Sequence, residues 1–283
     1  MQLPILCLGT NIPINRLTDT LTSMIDVTTN KATRLFLILG GIFITNALVA
    51  EFIGVKIFQL EDTLGIDRAS INVFGYDLSF QLTAGVLLWP VVFILTDIIN
   101  EYYGKKGVRL LSFLTAGLVA YSFLMIYLGV STTPADWWVG SAQNKGIADY
   151  SLAYNAVFGQ GLWIICGSLV AFLVGQILDV YVFHKLKQAT GEKLIWLRST
   201  GSTLVSQLVD SFVVLFIAFY IGAGWPIEQV LAVCTVNYIY KVLMAIGLTP
   251  AIYLMHNIIE RFLGHDLAKE MKDNAMEKSG GVI

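Results

Sequence analysis

Seven ionisable side chains fall inside long apolar stretches of this sequence: Glu51, Lys56, Asp97, Glu101, Asp179, Asp210 and Lys241. The amides Asn46, Gln160, Gln176, Gln207 and Asn237 accompany them. A charge at the centre of a bilayer costs at least about 2.5–3.5 kcal/mol, so each of these groups needs a partner or water. Counting inward from the ends of the apolar stretches puts Asp210 and Lys241 at similar depth, near the midplane, on neighbouring antiparallel segments. Gln207 lies one helical turn from Asp210, and Asn237 one turn from Lys241. A polar cluster that receives a small polar solute is one reading of this pattern, and a buried ion pair that only fixes helix register is the other. Glu51 belongs to the outer half of its segment, together with Asn46. A carboxylate can accept two parallel donors, such as the ring N–H and exocyclic amine of a guanine-like base; pairing with Lys56 near the outer interface accounts for Glu51 equally well. The candidate substrate-binding set is therefore Asn46, Glu51, Gln207, Asp210, Asn237 and Lys241. Asp97, Glu101, Gln176 and Asp179 lie closer to the inner surface and read as gating or structural.

The elements that must carry these groups follow from composition. Of 283 residues, 56% are hydrophobic and 13% charged, about half the charged share of a soluble domain. Apolar stretches long enough to cross a bilayer as helices are expected over residues 35–58, 81–101, 110–130, 157–183, 201–222 and 228–260. The last exceeds one straight crossing, and Gly247 and Pro250 mark an expected kink; Pro90 is expected to bend the second. The fold class is an all-α polytopic membrane protein of about six transmembrane helices. Residues 1–33 read as a polar leader, 34–263 as the membrane domain, and 264–283, rich in charge and ending near Gly280 and Gly281, as an exposed tail.

Arg16, Lys31, Arg34, Lys105, Lys106, Arg109, Lys185, Lys187, Lys193, Arg198 and Arg261 all fall on one side of these spans, which the positive-inside rule assigns to the cytoplasm, with both termini there. The opposite loops carry only Arg68 and Lys145 against seven acidic residues. Gly167, Ala171 and Gly175 recur at four-residue spacing, a small-residue face that serves an intramolecular bundle or a homodimer equally. Trp137, Trp138 and Trp196 fit an interfacial aromatic belt.

Other functions find little support. A net charge of -2 offers no field for nucleic acid. The cysteines Cys7, Cys166 and Cys234 are far apart and expected to be free, those at 166 and 234 buried. His184, His256 and His265 form no HExxH or close pair, so no metal site and no cofactor are expected. No GxSxG elbow or phosphate-binding loop occurs, so the chain is not expected to be an enzyme or to hydrolyse ATP alone.

The segment from Leu95 to Arg109, Leu-Thr-Asp-Ile-Ile-Asn-Glu-Tyr-Tyr-Gly-Lys-Lys-Gly-Val-Arg, resembles the queuosine precursor transporter family, also called vitamin-uptake-like. Pro134–Trp138, Gly175–Phe183, Trp196–Thr200, the stretch from Ser206–Asp210 to Phe219, and Lys241 within Tyr240–Leu243 agree with further blocks, and the likeness covers most of residues 35–260. The resemblance implies a multi-pass protein of the bacterial cytoplasmic (inner) membrane that imports 7-deazaguanine bases: 7-cyano-7-deazaguanine, 7-aminomethyl-7-deazaguanine or queuine. It also implies a fold similar to the substrate-binding subunits of energy-coupling-factor importers. The alternative is a substrate-capture subunit of an ATP-driven vitamin importer for another small heterocycle.

Overall fold

A computed structural model describes residues 30–190 and 194–280. Most of the expected leader, with Cys7 and Arg16, and the loop residue Lys193 lie outside the described residues.

Helix α1 (Lys31–Ile53) is capped by Asn30, whose side chain accepts from the amides of Ala32 and Thr33. Its 23 residues reach about 35 Å, enough to cross the hydrocarbon core. A folded connection follows: strand β1 (Ile57–Gln59), the short helix α2 (Leu60–Leu64), and strands β2 (Ile71–Val73), β3 (Tyr76–Leu78) and β4 (Gln81–Thr83). β1 pairs antiparallel with β4, Phe58 opposite Leu82, and β2 with β3, Asn72 opposite Asp77. The first span therefore stops at Ile53 rather than 58, and residues 81–83 form strand, not helix. The β pairing and the 3-10 turn Ala84–Leu87 use up the apolar residues that looked like the start of the second span.

Glu61 holds the connection together. Its buried carboxylate accepts from the Phe80 amide at 2.9 Å, the Ala69 amide at 3.3 Å and the Gln59 side chain. Desolvation pulls its pKa upward, but these hydrogen bonds outweigh that pull and hold it below the ordinary glutamate value.

Helix α3 (Trp89–Val130) begins with Pro90 in its first turn, where proline's missing N–H costs nothing. Pro90 thus starts the helix instead of bending it. The real break is Gly104, with φ 67 and ψ -171. The hydroxyls of Thr96 and Ser112 both reach Gln176 Oε1, each at 3.3 Å; in an unbroken helix they would stand about 24 Å apart. α3 is therefore two antiparallel arms, 89–103 and 105–130, folded about one glycine.

Two short helices, α4 (Asp136–Val139) and α5 (Tyr150–Phe158), lead to α6 (Leu162–Thr190). Then come α7 (Ile195–Leu215), which ends in a π-helical turn over Phe216–Ile221, α8 (Ile227–Gly247), α9 (Thr249–Leu263) and α10 (His265–Gly280). Among the described residues five helical stretches are long and apolar enough to cross a membrane. Because the 42-residue α3 doubles back, they supply six apolar arms. The expected break near Gly247 and Pro250 is present, with α9 starting at Thr249.

α6 and α7 share the broadest helix interface. A Cβ on Gly167 would stand 3.0 Å from the Val214 carbonyl oxygen, and one on Gly175 3.5 Å from Asp210 Cβ. The small-residue face is thus used inside the bundle, letting α7 approach closely. Cys234 is buried as expected, whereas Cys166 is exposed.

The tail departs from expectation. Residues 265–280 form a helix against α3, burying Ala268 and Ala275, with Leu267 and Met271 packed on the same core. These residues fall at one helical face, which the polar average composition hides. Ala275 sits on the Gly104 elbow, where a Cβ on Gly104 would meet the Ala275 carbonyl oxygen at 3.2 Å.

Candidate functional site

Every residue buried along α7 is polar: Arg198, Ser199, Thr200, Ser202, Thr203, Ser206, Gln207 and Ser211. Its apolar residues are partly or largely exposed, Trp196, Val205 and Leu208 the most. This is the inverse of a soluble helix and the arrangement that a bilayer outside and a polar interior demand.

The polar face of α7 looks toward a cavity enclosing about 530 Å³, its open mouth included. One wall comes from the first arm of α3, with Trp89, Phe93 and Asp97. A second comes from α7, with Thr200, Thr203 and Gln207, and a third from Tyr240, Lys241 and Met244 of α8. Val86, from the 3-10 turn, also lines it and packs with Leu82 and Tyr240. The helical part of α3 therefore begins at the level of the cavity, with Val86 and Trp89 sharing its lining with Lys241.

Lys241 Nζ donates to Asp210 Oδ2 at 2.6 Å, with side-chain exposures of 17% and 20%. The contact that depth counting anticipated is present. Gln207, 2% exposed, lines the cavity, and neither its Nε2 nor its Oε1 has a hydrogen-bond partner. Asp97 lines the cavity as well, besides accepting from the Ser199 hydroxyl.

Glu51 occupies a small adjoining pocket with Ser168 and Thr115, under Trp89, which borders both spaces. Its carboxylate accepts from the Ser168 hydroxyl and lies within electrostatic reach of Asp210. Its hydrogen-bond partner is thus on α6 and not Lys56. Gln160, from the turn before α6, donates to the Glu51 main-chain oxygen at 3.3 Å.

Asn46 and Asn237 line neither space. Each side chain turns back onto its own helix, Asn46 Nδ2 to the Ile42 oxygen at 2.8 Å and Asn237 Nδ2 to the Val233 oxygen at 3.0 Å. That local bond gives one amide N–H a partner within the helix without any ligand.

Beyond the cavity floor the remaining polar groups lock helices together. Glu101 is bridged by Lys187 of α6 at 3.1 Å and Arg198 of α7 at 2.8 Å, all three nearly sealed from solvent. Asp179 accepts from Ser206 at 3.3 Å, and His184 Nε2 pairs with Asn100 Oδ1 at 2.9 Å. Gln176 joins both arms of α3 to α6.

The hydroxyls of α7 and the aromatic wall of Trp89, Phe93 and Tyr240 were absent from the candidate set. A signal existed for the first: Thr200 and Thr203 share one helical face with Gln207 in an otherwise apolar segment. The aromatics carry no such mark, because isolated rings in apolar stretches look like ordinary lipid-facing or core residues.

The family described as “Putative vitamin uptake transporter” matches residues 83–255, which span both arms of α3, α6, α7 and α8 and so include the three helices that wall the cavity, α3, α7 and α8. The chain belongs to the queuosine precursor transporter family. It is 31% identical over 195 residues to the “Probable queuosine precursor transporter” of Bacillus subtilis (strain 168), covering 67% of this chain and 76% of that protein. To the “Queuosine precursor transporter” of Escherichia coli (strain K12) it is 30% identical over 205 residues, covering 71% and 83%. The corresponding “Probable queuosine precursor transporter” of Haemophilus influenzae is 31% identical over 189 residues, covering 66% and 74%. No solved structure matches the chain. Family membership and the apolar helices make it a multi-pass bacterial inner-membrane protein of the transporter class.

Proposed function

We propose that this chain imports queuosine precursors, specifically a 7-deazaguanine base, through the cavity between α3, α7 and α8. The observation that carries the reading is Gln207. A buried amide with both its donor and its acceptor unpartnered costs about 1–3 kcal/mol for each unmet group, a cost that a ligand presenting the complementary pair relieves. The edge of a guanine-like base presents adjacent donors and an acceptor, and Trp89, Phe93 and Tyr240 offer apolar faces for a flat ring. The names of the three relatives support the same substrate class.

In this reading Gln207 pairs with the base edge. Asp97 accepts from a further N–H, and the Asp210–Lys241 pair opens to contact the ligand's polar substituent. Glu51, below Trp89, receives the base or its proton when the wall moves. A helix that starts at the level of the cavity, preceded by a folded connection, suits alternating access around a central site. Cytoplasmic termini and inward transport complete the proposal.

The test is the queuosine content of tRNA in a bacterium unable to make the precursor, fed each candidate base at low concentration with and without this gene. Restoration only with the gene, lost in Gln207→Leu at equal membrane abundance, is the expected result. Restoration by no base from a membrane-inserted protein would overturn the substrate class.

A further inference from the structure

A second cleft, enclosing about 550 Å³, lies between the 105–130 arm of α3 and α6. Lys105 and Arg109 stand at its edge, in the first turns after the Gly104 elbow, and no acidic residue lines it. A helix N-terminus adds its own positive potential there. On the facing helix, Lys185 Nζ lies 4.6 Å above the Tyr181 ring, which borders the same cleft. Phe113, Ile177 and Tyr181 are 60%, 56% and 52% exposed, so the cleft continues onto apolar surface that faces the bilayer.

The floor is polar. Gln176, which lines the cleft, is 2% exposed; its Oε1 is taken by the Thr96 and Ser112 hydroxyls, while its Nε2 has no partner. A site with two cations at its edge, an unmet buried donor below them and an apolar channel leading into the lipid combines three chemistries that only an amphiphilic anion satisfies together.

We infer that this cleft binds one anionic glycerophospholipid from the leaflet on the lysine-rich side. The phosphate lies between Lys105 and Arg109, Gln176 Nε2 donates to a phosphate or ester oxygen, and one acyl chain runs along Phe113 and Ile177. A zwitterionic lipid fits less well, because its own ammonium group would be held among Lys105, Arg109 and Lys185. Basic pockets between membrane helices on the cytoplasmic side recognise anionic head groups by this physics. The inference does not depend on which solute the chain carries.

The full chain, purified in detergent, is incubated with equal amounts of phosphatidylglycerol and phosphatidylcholine, and retained lipid is read by native mass spectrometry. Phosphatidylglycerol should be retained about tenfold over phosphatidylcholine, since each basic residue near the surface favours it appreciably. The K105Q/R109Q pair should bring that ratio near parity, and K105R/R109K should keep it. I177W, which fills the acyl channel and leaves both cations, should lower retention of either lipid. Equal retention of the two lipids by the parent chain, or an unchanged ratio in K105Q/R109Q, overturns the inference. So does displacement of phosphatidylglycerol by millimolar inorganic phosphate, which would make this a simple anion site.

Discussion

Substituting Lys241→Met strands the Asp210 carboxylate beside the cavity. The two groups meet at 2.6 Å with 17% and 20% of their side chains exposed. Removing one partner of a fully sealed ion pair costs about 3–5 kcal/mol, whereas a charge-assisted hydrogen bond in a partly open site contributes about 1.5–3 kcal/mol. The residual exposure selects the lower range, so Lys241→Met and Asp210→Asn should each destabilise by about 2 kcal/mol. The double variant leaves neither charge unmet. It should be destabilised by no more than about 1 kcal/mol relative to the parent, giving a coupling energy of about 3–4 kcal/mol in a double-mutant cycle. Equilibrium unfolding in mixed micelles, followed by circular dichroism, measures all four proteins. Additive single effects, with coupling under about 0.5 kcal/mol, would refute the claim that this contact is an energetic pair. Uptake assays on the same proteins separate the two roles weighed for it. A stable double variant that still transports fully makes the pair a register device, and one that folds but does not transport makes it part of the solute pathway.

Gln207→Leu removes two unmet polar atoms from a buried site, so it should raise thermal stability while reducing uptake at least tenfold; a fall in stability would show that Gln207 is satisfied in the resting protein. Gly104 occupies a backbone region closed to other residues at a cost of about 1–3 kcal/mol, and any Cβ there crowds Ala275. Gly104→Ala should therefore loosen α10, seen as faster proteolysis after Gly264, and unchanged cleavage would sink that account. Glu61 has a depressed pKa, so its contribution to the connection between α1 and α3 is complete above the ordinary carboxylate range and is lost as pH falls through the lower folded value. Amide exchange at Phe80 and Ala69, normalised to its intrinsic pH dependence, should accelerate only below the ordinary carboxylate range, and Glu61→Gln should abolish that acid step; acceleration beginning near neutrality would contradict it.

The sequence made the six apolar arms and the Asp210–Lys241 meeting legible for one reason: depth in a membrane helix is a count of residues. The same count placed the break near Pro250. What it hid was of three kinds. Residues 57–58 and 81–83 adjoin long apolar stretches and pass for helix ends, and only the pairing of β1 with β4 shows them as strand. Asn46 and Asn237 sit at promising depths, yet a rotamer that bonds the preceding turn removes them from the cavity, and no pattern encodes that choice. The tail is polar on average, so the stripe of Leu267, Ala268, Met271 and Ala275 was diluted by the residues between.

That stripe has a consequence for biosynthesis. The elbow at Gly104 is inserted early, but the helix that covers it is translated roughly 170 residues later, and at ordinary elongation speeds the bare bend waits on the order of ten to thirty seconds. Until α10 emerges and docks, the turn between the two arms has no cover, and the hairpin must hold through contacts such as those of Gln176 with Thr96 and Ser112. Late closure of an early hairpin makes the end of the docked helix a quality checkpoint. A nascent chain stopped before His265 would carry every transmembrane arm and still display an open hinge to the proteases that survey the membrane.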